Sequence, residues 1–85
     1  MILSTPRQLN EAAFAALVGR PCRLVTLEND PHGIPEGSTG TIAWVGPLLP
    51  GAAIEHGQDW RQIGVKWSNG RGLCLILPPD CLEVL

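Results

Sequence analysis

Residues 63 to 77 read IGVKWSNGRGLCLIL, two runs of alternating apolar residues separated by Ser68, Asn69 and Gly70. The pattern is that of a β-hairpin, and the length of its turn decides which side chains face inward. With a two-residue turn at Asn69-Gly70, Val65 lies opposite Cys74, and Leu73, Leu75 and Leu77 share a face with Lys66. With a three-residue turn in which Gly70 takes positive φ in a bulge, Val65 faces Leu73 and Ile63 faces Leu75. One face then carries Ile63, Val65, Trp67, Leu73, Leu75 and Leu77; the other keeps Gly64, Lys66, Gly72 and Cys74. Each buried leucine contributes about 1.5 to 3 kcal/mol, so burial selects the bulged register. Trp67 is therefore expected in the core.

The rest of the chain must complete a domain around this hairpin with few residues to spare. Eighty-five residues make a single domain, 1–85, and a chain of this size buries only about 60 to 65% of its unfolded surface. Ten glycines, eight prolines, 45% apolar and 16% charged residues fit short strands and tight turns and not a disordered chain. Cys22–Leu27 and Gly40–Val45 read as strands, and Leu82–Leu85 as a last strand after Pro78-Pro79-Asp80, whose prolines cannot donate to a ladder. Residues 29–39, with Asp-Pro, His-Gly and Ile-Pro-Glu-Gly, form an irregular loop, and residues 48–62 a long connection.

At the other end, Thr5-Pro6-Arg7-Gln8 offers a cap, a proline for the first helical position and a glutamine able to reach back. Leu9, Ala13, Ala16 and Leu17 then form one stripe with Phe14 on its margin, while Gly19 and Pro21 end the run. The spacing predicts a helix over 5–18. The expected fold is mainly β (α+β): a small SH3-like five-stranded barrel over 22–85 preceded by one N-terminal α-helix, closure removing the exposed edges.

Over residues 19–85 the chain resembles an uncharacterised bacterial and phage family of small SH3-like domains of unknown function. Pro35-Glu36-Gly37-Ser38-Thr39-Gly40-Thr41-Ile42, Val65-Lys66-Trp67-Ser68-Asn69-Gly70, and Leu73-x-Leu75 with Pro78 and Asp80 carry the resemblance. The glycine-bearing turn before Ile42 is also similar to KOW-type turns of ribosomal and transcription-elongation proteins, and the Trp-Asn-Gly hairpin to mind-bomb-type domains. Ser68 stands where the family has aspartate, and the connection 48–62 is longer than the family's turn. The resemblance implies a fold and, in general terms, a binding role.

No nucleophile elbow, phosphate loop or metal-ligand spacing occurs, so no catalytic residue, metal site or cofactor is assigned. Cys22, Cys74 and Cys81 are an odd set without C-x-x-C spacing, which fits reduced thiols in a cytoplasmic chain. No apolar run is long enough to span a membrane. A non-catalytic protein-interaction module using loops 29–39 and 48–62 is the favoured function, with His32, Glu36, His56 and Trp60 as candidate binding residues. Trp60 suits either a partner anchor or a plug over the barrel end. The alternative is a KOW-like nucleic-acid module using Arg61, Lys66 and Arg71 on the outer side of the hairpin. A net charge of −2 disfavours it, because no long-range field draws in a polyanion.

Overall fold

The computed structural model describes residues 1–28, 33–51 and 58–85. Seven elements follow in order: β1 (Ile2–Leu3), α1 (Glu11–Ala15), β2 (Pro21–Thr26), β3 (Thr39–Val45), β4 (Arg61–Trp67), β5 (Cys74–Leu77) and β6 (Cys81–Val84). The six strands form one antiparallel sheet in the order β1-β6-β2-β3-β4-β5. The five anticipated strands are all present, and Ile2–Leu3 adds a sixth by pairing with β6. Among the described residues the ladder has two ends, β1 and β5, so strand pairing alone does not close it.

The hairpin takes the bulged register. Ile63 pairs with Leu75, and Gly64 with Cys74. Trp67 N–H donates to Arg71 O at 3.1 Å on the same register, which carried between these points sets Val65 opposite Leu73. Gly70 has φ +88° with open space around its Cβ position. A Gly70→Ala substitution is strained by its backbone alone and should lower stability by about 1 kcal/mol. Chemical denaturation checks this, since an unchanged midpoint would contradict the left-handed turn.

Ile63, Val65, Trp67, Leu75 and Leu77 are buried and join Leu3, Phe14, Leu24, Ile42 and Leu82 in one core, with Leu73 packed against it. Trp67 is thus a core residue, and its indole N–H is satisfied by Leu73 O at 3.0 Å. The loop before β3 adds Ile34 to this core. It then turns at Pro35–Ser38, where Gly37 has φ +87° and Ser38 N–H bonds Pro35 O.

The helix is much shorter than the predicted 5–18. Its N-cap is Asn10, whose Oδ1 accepts from Ala13 N–H at 2.8 Å, instead of Thr5. Asparagine is the stronger cap, and competing contacts hold residues 5–9 in turns and bends. Gln8 does reach back, but to Ser4 N–H and Ile2 O, while Pro6 O accepts from Arg61 Nε at 3.2 Å. Phe14, placed by the sequence on the stripe's margin, is fully buried, and Ala16 is exposed. Gly19 carries the expected positive φ, and its N–H donates to Ile42 O at 2.7 Å.

Candidate functional site

β3 and β4 run in simple register through Ile42 opposite Val65, then shift so that Trp44 pairs with Gly64. Alternation alone would put Trp44 on the buried side with Ile42. The extra residue, Ala43, reverses that parity, and Trp44 emerges on the outer face at 43% exposure. Its indole lies directly on Gly64, where an added Cβ would clash with the ring atoms Nε1 and Cε2. A glycine within a strand marks such a close approach. Around Trp44 is an open depression of about 300 Å³, bordered by Lys66, Arg71, Gly72 and Cys74. Lys66 is exposed and makes no ion pair among the described residues.

Gly64→Ala should lift the indole from the sheet at modest cost, under about 1 kcal/mol, because an exposed side chain can swing away. The accompanying change is a red shift in tryptophan emission that is absent when the same substitution is made in a Trp44→Phe background. Emission unchanged by Gly64→Ala would mean that Trp44 does not rest there.

Arg61 does not belong to the outer face. It has the same parity as Ile63, Val65 and Trp67 and is 2% exposed. Its guanidinium lies 4.1 Å from the centre of the Phe14 ring and donates to Pro6 O, to Gly46 O at 2.8 Å and to both carboxylate oxygens of Glu11. The hydrogen bonds from Arg61 hold the Glu11 carboxyl below its ordinary range. A second depression, about 310 Å³, opens above this cluster between α1 and the end of β3. Arg61 is therefore a structural cation that fastens the N-terminal segment to the sheet, and the basic surface proposed from sequence reduces to Lys66 and Arg71.

Of the loop residues proposed as a binding site, His32 and His56 lie outside the described residues. Glu36 is exposed in the turn before β3. Trp60 is half-buried and forms a two-way backbone bridge with Leu49, and its buried Nε1 has no hydrogen-bond partner among the described residues. Neither Glu36 nor Trp60 borders either depression. Asp59 beside it is ion-paired with Arg7 and accepts from Gly51 N–H. Those bonds, from Arg7 first, draw the Asp59 carboxyl below its ordinary range.

The three cysteines are unpaired. Cys22 is buried, and loss of hydration pushes its thiol up to about 11, so it is not a thiolate nucleophile at neutral pH. Among the described residues no group of three His, Cys, Asp or Glu side chains is arranged to hold a metal ion, and no helix is long and apolar enough to cross a membrane.

Two side chains were given no role by the sequence reading. Trp44 was signalled only by Gly64 in a strand that pairs with its own. Asp80 is 4% exposed, and its carboxylate accepts from Ile76 N–H at 2.8 Å and Glu28 N–H at 2.9 Å. Comparison of the chain with protein-family models, curated proteins and solved structures returns no match.

Proposed function

We propose that this chain is a small, non-catalytic protein-binding module of SH3-like, barrel-like architecture, and that its ligand surface is the outer face of β3–β5 around Trp44. The observation that carries the reading is the bulge at Ala43. It brings a large aromatic side chain to the surface of an 85-residue chain with a single core, where burying it would have contributed a few kcal/mol. Exposed aromatic anchors set in a depression are what interfaces use. The strand order β6-β2-β3-β4-β5 supports the SH3-like part: the last strand returns beside the first strand of the unit 22–85. An odd set of unpaired thiols supports a reducing, cytoplasmic setting.

Amide NMR titration with pools of short peptides and of oligonucleotides tests the site while the partner is still unidentified. The expected result is a set of shifts confined to Ala43, Trp44, Gly64 to Lys66 and Gly70 to Cys74, and lost in Trp44→Ala. Shifts confined to residues 33–39 and 58–60 would return the site to the loops and overturn the reading.

A further inference from the structure

Among the described residues β5 is one of the two edges of the sheet, and it adjoins the same depression. β4 and β5 pair Gln62 with Ile76 and Gly64 with Cys74. In an antiparallel ladder, alternate residues direct both backbone groups to the neighbour and the intervening ones direct both away. Ile76 N–H donates to Asp80 Oδ2, and Ile76 O accepts from Asp80 N–H at 2.9 Å, so Ile76 faces the edge and is capped. Cys74, two residues earlier, faces the same edge, beyond the reach of that cap. Trp67 N–H donates to Arg71 O, which turns Arg71 toward β4 and leaves Gly72 directed outward with Cys74. Gly72 has no atom near its Cβ position. One half of the β5 edge is thus closed by Asp80, and among the described residues nothing caps the half beside Trp44 and Lys66.

Resting on the outer-face reading above, we infer that the occupant is a short extended acidic segment of a partner protein, which adds as a strand along Gly72–Cys74. Alternate side chains of such a strand lie on the outer face, where an apolar one meets Trp44 and a carboxylate meets Lys66. Lys66, exposed and without an ion pair among the described residues, is the cation bordering the depression on which the match rests, so an acidic segment suits it. A single-stranded nucleic acid offers the same combination of planar and anionic groups. Lys66 neutralises only about one phosphate, however, which gives little counterion release, and the chain carries −2 overall.

The test titrates the full chain with three probes: a short alternating Glu-Val peptide, its Lys-Val counterpart, and oligothymidylate. Strand addition predicts that the Glu-Val peptide shifts the Trp44 indole and slows hydrogen exchange at Gly72 and Cys74 amides, with exchange at Ile76 unchanged. Lys66→Glu, an exposed change that leaves the core intact, should weaken that binding at least about fivefold, a modest change in an exposed charge contact. Equal binding of the Lys-Val peptide, or shifts without protection of Gly72 and Cys74, overturns the inference. Tighter binding of oligothymidylate at Trp44 overturns it while leaving the outer face as the binding surface. Absence of shifts anywhere on that face from any probe overturns both.

Discussion

Arg61→Ala should destabilise the fold by about 2 to 4 kcal/mol, the largest effect expected of any charged residue among those described. The substitution leaves Pro6 O and Gly46 O without their donor and opens a void against Phe14. Glu11→Gln should cost much less, because the Glu11 side chain is 71% exposed while Arg61 is 2% exposed, and water takes over what the carboxylate loses. Arg61→Lys should not restore stability, since an ammonium cannot span a carboxylate and two carbonyls as a planar fork does. Denaturant midpoints of the three variants check the ranking. Equal losses in Arg61→Ala and Glu11→Gln would assign the stabilisation to the ion pair and not to the buried guanidinium.

The two ion pairs of the N-terminal segment, Glu11 with Arg61 and Arg7 with Asp59, give a pH dependence. Glu11 and Asp59 both have folded values below their ordinary carboxylate range. The unfolded chain therefore binds protons first as pH falls below about 4, and stability drops through that window. Above it their contribution is fully present. A thermal midpoint that is flat or rises on acidification would contradict the sign.

Asp80→Ala should destabilise by about 2 to 3 kcal/mol, because a buried carboxylate accepting backbone N–H groups makes charge-assisted bonds whose loss strands both donors. One of those donors, Glu28 N–H, is 52 positions away in sequence; the other, Ile76 N–H, lies across the Pro78-Pro79 turn. Asp80 therefore fixes the turn before β6 and the exit of β2 together. Asp80→Asn keeps an acceptor of similar shape and should cost roughly half as much. Faster amide exchange at both Glu28 and Ile76 in Asp80→Ala is the specific readout. Exchange that quickens at Ile76 alone would confine Asp80 to its own turn. The variant frees Ile76 N–H at the β5 edge but keeps the backbone bond from residue 80 to Ile76 O.

Local pattern determined a large part of this protein. The hairpin register followed from three leucines and a Ser-Asn-Gly turn, because a shift of one residue reverses every side chain and the burial energy penalises the wrong choice. For the same reason Trp67 was legible as core, and Gly19 and Gly70 as left-handed positions. Arg61 was also available to the same reasoning: in Arg-Gln-Ile-Gly-Val-Lys-Trp it shares the parity of Ile63, Val65 and Trp67, which places it inward. Its charge argued against that placement, and only the tertiary structure supplies the Pro6, Gly46 and Glu11 oxygens that make burial tolerable.

The helix, the added strand and the site were decided by contacts between distant residues. A helix over 5–18 satisfied local capping rules, yet β1 pairing with β6 and the donation from Arg61 to Pro6 O hold the residues on which its first turns depend. Propensity is worth tenths of a kcal/mol per residue and yields to such contacts. Trp44 is the clearest case. The alternation of Gly40, Ile42 and Trp44 assigns it to the interior, and a single unpaired residue at Ala43 sends it to the surface. A bulge arises from how two strands match, with Gly64 supplying the space on one and Ala43 the extra length on the other. Neither segment specifies the bulge alone, because period-two patterning records the direction of a side chain only while the ladder stays in step.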